Sequence, residues 1–291
     1  MEWVRYSIVL LAGSVTGFVY NALNRILVII FLPVSAMADF DIASKPQTFI
    51  RGILSALTSA IIPVSAHYDA AGRKDKIMEI LLRGTLWLNA IIFPPLIFVM
   101  VMMPELITLW LGPGHERIAP YAIAIAGYLA VFAMPAALAN LILIGMGKAK
   151  LYLPVQLSVA ALTLVLSVSG AKFIGLKGIV YAFVLGQILT NISCILVFIR
   201  LFKLSAAWAV KELIVPHFKL LAPAFLSAWA FAALGPPPFL YPLAGGFAAC
   251  CAASYLFYYL FIMENREKEF LLSSVKGLSR GGKLGIWNIQ E

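Results

Sequence analysis

Charged residues are scarce in this chain. Asp, Glu, Lys and Arg together make up 12% of its 291 residues, about half the share usual in a soluble domain. Apolar residues reach 62%. That excludes an ordinary water-facing globule and indicates a polytopic membrane protein with the bilayer as its main solvent. Cysteine is nearly absent too. Cys194, Cys250 and Cys251 all fall in apolar stretches, so free thiols are expected and no disulfide framework. His67, His115 and His217 lie far apart and near the ends of those stretches, so they make no metal-ligand constellation. No P-loop, H-E-x-x-H, G-x-S-x-G or dinucleotide fingerprint occurs, and no acid–base set fit for a membrane polymerase or acyltransferase is visible. Neither an enzyme activity nor a cofactor is expected. Carboxylates also avoid the apolar stretches, Asp39 and Asp41 coming nearest. Proton pumps commonly carry a mid-membrane Asp or Glu, so this absence weakens proton coupling.

What the chain does have is a series of long apolar segments. About 20 residues cross the hydrocarbon as a helix, and eight segments qualify. They are roughly 6–31, 48–66, 82–103, 119–145, 151–171, 179–200, 220–235 and 240–263. The expectation is an all-α, polytopic membrane bundle of about eight transmembrane helices over residues 1–263. Between the sixth and seventh spans, residues 203–219 alternate Trp208, Leu213, Ile214 and Phe218 with Lys211, Glu212 and Lys219. That pattern reads as an amphipathic helix lying at the interface. Residues 264–291 are polar and basic and read as a flexible tail. The first apolar stretch is too long for the core of a removable signal peptide. Pro63, Pro94, Pro95, Pro135, Pro154 and Pro223 fall within or near spans. Proline bends membrane helices, and neighbouring groups re-satisfy the freed carbonyls.

The net charge of +9 points to anionic lipid rather than nucleic acid, because the cations gather in loops and tail. Arg5, the cluster from Arg73 to Arg83, Lys148, Lys150, the basic residues from Arg200 to Lys219 and those of the tail fall on one side. Arg25, Lys45, Arg51, Arg117, Lys172 and Lys177 fall on the other. By the positive-inside rule both termini are cytoplasmic, in a plasma (inner) membrane.

Polar residues inside the spans are the candidates for function. Ser14, Gly17, Asn21 and Asn24 recur at spacings of three and four, with Arg25 beside them. They form one small-and-polar helical stripe ending in a cation. A cation at this depth faces a partner or a wet cavity. In the second span, Gln47, Arg51, Ser55 and Ser59 make another stripe at four-residue steps. The sixth carries Gln187, Asn191 and Cys194, the third Asn89 and the fourth Asn140. Such residues also serve as hydrogen-bonding glue between helices.

The order of punctuating segments resembles a known family. The second span leads into "IIPVSAHYDAAGRKDK". The third reads "LLRGTLWLNAIIFPPLIFVMVMMPELITLWLGPG". The fourth and fifth are joined by "LILIGMGKAKLYLP", and the sixth opens "IGLKGIVYAFVLGQILTN". Over roughly residues 10–205 this resembles the polysaccharide biosynthesis (oligosaccharide-lipid) flippases, whose superfamily also holds multidrug and toxin extruders and lipid II flippases. The resemblance implies helical bundles around a cavity of alternating access. It implies a polyprenyl-pyrophosphate-linked oligosaccharide as substrate, moved outward for surface polysaccharide synthesis. Arg25, and also Arg51, would neutralise the pyrophosphate, with Asn21, Asn24, Ser55, Gln187 and Asn191 lining the cavity. Arg25→Ala is then expected to abolish polymer export. Family members commonly have twelve to fourteen helices, and this chain matches their C-terminal portion. The expected partner is therefore an N-terminal bundle or a second chain. The alternatives are half of a multidrug or lipid II exporter, or a truncated, non-transporting remnant.

Overall fold

The structure is a computed structural model that describes residues 11, 22–237, 239–263 and 268. Ser14, Gly17, Asn21 and nearly all of the tail lie outside the described residues. All regular structure among the described residues is helical. Helix α1 covers Ala22–Phe31, α2 Val34–Thr58, α3 Ile61–Ala70, α4 Lys74–Val101 and α5 Met103–Leu111. The fourth span is built from α6 (Ala119–Gly127) and α7 (Ala133–Gly145). Then come α8 (Leu153–Ile174), α9 (Leu176–Phe202), the single turn α10 (Ala206–Ala209), α11 (Val215–Ala232) and α12 (Leu240–Phe257). Among the described residues, six helical stretches are long and apolar enough to cross a membrane, or seven if the bent pair Glu116–Ala130 and Ala133–Gly145 counts as one span.

Several boundaries differ from the sequence expectation for physical reasons. The second span starts at Val34 rather than near Thr48, making a helical stretch of 37 residues to Ala70. Phe40, Ala43, Gln47, Ile50 and Leu54 are buried at steps of three and four. They give the polar start of α2 a core-facing stripe. Its carboxylates find partners: Asp41 meets Arg25 at 2.9 Å and Asp39 meets Arg117 at 3.6 Å. The break between α2 and α3 falls at Ser59–Ala60, where Pro63 withholds the N–H that would bond Ser59. Residues 207–219 run continuously into the seventh span, so that Ala207–Ala232 is one stretch, with a π turn at Val210–Ile214.

Helix α4 is the central post. Ile77, Leu81, Phe93 and Leu96 are almost wholly enclosed, and α7, α11 and α12 pack around it. Helices α8 and α9 form a hairpin with Gly175, at φ 70°, in its turn. Their axes come together at Gly170 and Gly178, where a Cβ on either would overlap the other's backbone. Only glycine permits that approach. Helix α1 lies against this hairpin and α2 through Asn24–Ser167 and Arg25–Asp41. Between α5 and α6, the Gly114 N–H donates to the Glu116 carboxyl at 3.0 Å.

Candidate functional site

The fourth span breaks in its middle. Pro135 has no N–H to give to the Val131 carbonyl, and Phe132 adopts a left-handed conformation at φ 54°, uncommon for a bulky residue. The two halves meet at 54°. A broken membrane helix exposes main-chain acceptors that must be satisfied from elsewhere. Asn191 of α9 donates its amide Nδ2 to the Val131 carbonyl at 3.1 Å. His217 of α11 takes the Ala130 carbonyl through Nε2 at 2.7 Å. The same device recurs at the paired prolines of α4. The Tyr255 hydroxyl donates to the Ile91 carbonyl at 3.2 Å, the one that Pro95 cannot bond.

Beside the break lies a cleft of about 250 Å³. Helix α2 contributes Arg51 and Leu54, and the broken span contributes Tyr128, Ala133, Ala136, Ala137 and Asn140. Tyr152 and Gln156 enter from the start of α8; Gln187, Thr190, Asn191 and Cys194 come from α9. Several of these are fixed by the fold. Gln47 donates to the Tyr128 hydroxyl at 2.9 Å, and the Arg51 guanidinium acts on the same hydroxyl. Tyr152 donates to the Thr190 carbonyl at 3.1 Å. The side chains of Asn140, Gln156 and Gln187 make no hydrogen bond to another described residue. Among the described residues the wall thus offers three unengaged amides, two anchored phenols and one guanidinium, with no carboxylate.

Arg51, Gln187 and Asn191 therefore meet in one place although Arg51 stands more than a hundred residues from the other two. Ser55 is exposed on α2 and does not line the cleft. Asn24 is buried and accepts from Ser167 at 3.4 Å. Arg25 is also away from the cleft. Its guanidinium makes a close ion pair with Asp41 that lacks a well-aligned hydrogen bond. Asn21 lies outside the described residues. Comparison with protein-family models, curated proteins and solved structures returns no match. The site must be read from its own chemistry.

Several contributors escaped sequence reasoning, Tyr128 and Thr190 among them. Tyr152, at the start of the fifth apolar segment, is buried and faces the cleft. Gln156 is a lone amide in an apolar helix, a signal that could have marked it. His217, read as close to a span end, is 2% exposed in the middle of the bundle. Nothing in its local sequence announces that.

Proposed function

We propose that this chain is the eight-span, cavity-bearing bundle of a membrane flippase, counting residues 6–31 as its first span. Its cargo is a polyprenyl-pyrophosphate-linked oligosaccharide, carried across the plasma (inner) membrane by alternating access. Both termini face the cytoplasm. The observation that carries this reading is the composition of the cleft wall. Unengaged amides and phenols suit sugar hydroxyls, which donate and accept. A guanidinium among them suits a phosphate, which it can grip bidentately. Arg51 takes the phosphate-binding role in this reading, because Arg25 is committed to Asp41. A carrier of small organic cations is disfavoured, since the wall holds a cation and no carboxylate.

The reading includes a partner bundle. Arg51 and Ser55 are exposed on a membrane-length helix, where contact with lipid would be costly. A second helical bundle over the open side of the cleft would shield them.

The test is reconstitution in liposomes with a lipid-linked oligosaccharide bearing a fluorescent sugar, with and without a candidate second bundle. Arrival of the sugar in the outer leaflet is read by added lectin. Arg51→Ala is expected to slow arrival at least tenfold, the loss of one charge-assisted contact of about 2 kcal/mol. Arrival that is unchanged in Arg51→Ala, or equal to that of empty liposomes in the wild type, removes the proposal.

A further inference from the structure

His217 has two possible hydrogen-bonded states, of which only the neutral one is formed here. Nε2 faces the Ala130 carbonyl at 2.7 Å, and a carbonyl only accepts, so Nε2 carries the proton. Nδ1 then accepts from the Asn89 Nδ2 at 3.4 Å. The other half of that amide is idle. Asn89 is fully enclosed, and its Oδ1 has no hydrogen-bond partner. Half a turn of the amide exchanges its two ends and sets Oδ1 against Nδ1. That arrangement is stable only if Nδ1 is also protonated.

Burying such a cation is costly, and two features of the surroundings offset part of that cost. Ala130 ends the half-helix Glu116–Ala130, and the C-terminal end of a helix is its negative pole. The rings of Phe93 and Phe132 each stand 4.9 Å from the imidazole, and aromatic faces attract cations. No charged side chain among the described residues competes. On α4, Glu79 pairs with Arg83 and Lys76 near the start of the helix. Tyr128 of the broken span accepts from Gln47. Beyond α11, Tyr255 and Tyr258 donate to the carbonyls of Ile91 and Leu220. On the segment of His217 itself, Lys211 pairs with Glu212, and Lys219 is exposed. Thr85 Oγ1, one turn before Asn89, is buried and without a partner.

We propose that His217 is a proton-binding site whose charge state sets the bend of the fourth span. A hydronium proton adds to the Nδ1 lone pair and leaves water; no covalent bond in the protein breaks, and the hydrogen bond from Asn89 Nδ2 is exchanged for one from Nδ1–H to Oδ1. The charged ring holds the Ala130 carbonyl more tightly. The adjacent carbonyl of Val131 is held by Asn191, which lines the cleft. The bend and the shape of the cleft therefore change together. This is independent of what the cleft carries, and its test uses no substrate.

The chain has three histidines, and His67 and His115 are exposed. A His67→Gln, His115→Gln variant labelled with ¹⁵N-histidine in lipid nanodiscs therefore reports His217 alone. At about pH 8 the spectrum should show a neutral ring protonated on Nε2, converting to imidazolium by about pH 5. A ring that stays neutral throughout overturns the site. Asn89→Leu removes the second acceptor and should move the midpoint to lower pH; an unmoved midpoint overturns the role given to Asn89. The bend is read separately by spin labels at positions 115 and 150, with the three native cysteines changed to alanine. The label-to-label distance should differ between the two pH values in the parent and not in His217→Gln. No difference in the parent, or the same difference in His217→Gln, overturns the link to the bend.

Discussion

Helices α4 and α8 have nearly the same mean hydropathy, 1.9 and 1.8, and opposite surroundings. Over half of the apolar window of α4 is buried inside the bundle, against 17% for α8. The rear of the molecule, α4 with α11 and α12, is closed by interlocking side chains such as Phe93, Phe98 and Tyr258. At the front, α8 and α9 cross closely at Gly170 and Gly178, and a polar cleft opens between α2, the fourth span, α8 and α9. Hydropathy alone does not separate a post from a wall. In a bilayer, lipid is as apolar as a protein core, so an outward-facing helix needs the same residues as an inward-facing one.

The largest expected effect tests the post against the wall. Phe93→Ala removes a fully enclosed ring and should destabilise the fold by about 3–5 kcal/mol in equilibrium unfolding from mixed micelles. Val165→Ala on α8, 62% exposed, should stay within about 0.5 kcal/mol. Equal losses at the two sites would erase the contrast. Next comes the glycine crossing. Gly178→Val should cost about 1–3 kcal/mol, because the new side chain would displace the backbone at Gly170. Spin labels on α8 and α9 should report a wider hairpin. A smaller effect is expected for Asn191→Leu, which leaves the Val131 carbonyl without its donor. About 1 kcal/mol should be lost, with faster hydrogen exchange at the break. Unchanged exchange there would mean that another group satisfies the carbonyl.

The smallest effect concerns Arg25. Its pair with Asp41 is half exposed, 52% and 38%, and pairs of that kind contribute about 1 kcal/mol or less. Arg25→Ala and Asp41→Ala should each lower stability slightly, and the double variant should recover the interaction term in a double-mutant cycle. Transport by the double variant should match the wild type. A double variant as inactive as Arg51→Ala would return Arg25 to the phosphate-binding role that its place in the sequence first proposed.

Much of the architecture was legible from the chain. Long apolar segments marked helices at the third and the fifth to eighth positions. Pro135 announced a disturbance in the fourth span. The stripe containing Gln47 and Arg51 lay on one face of α2, as its four-residue spacing required. Less legible was which polar residues pair with each other and which stay open. Arg25 and Arg51 look alike in sequence, each a lone cation in an apolar helix. Asp41 sits in a stretch that reads as a loop but folds as the first turns of α2, and there it captures Arg25.

The sequence by itself determined a helical bundle with several segments long and apolar enough to cross a membrane, because charge is scarce and the apolar runs are long. It determined too where main-chain carbonyls would lack a helical donor, because proline removes one wherever it stands. Only the tertiary structure decided which group answers each freed carbonyl. Asn191 and His217 reach the break in the fourth span from helices far along the chain. Partners of that kind are set by helix packing, which depends on side-chain volumes meeting in space and leaves no local trace in the order of residues.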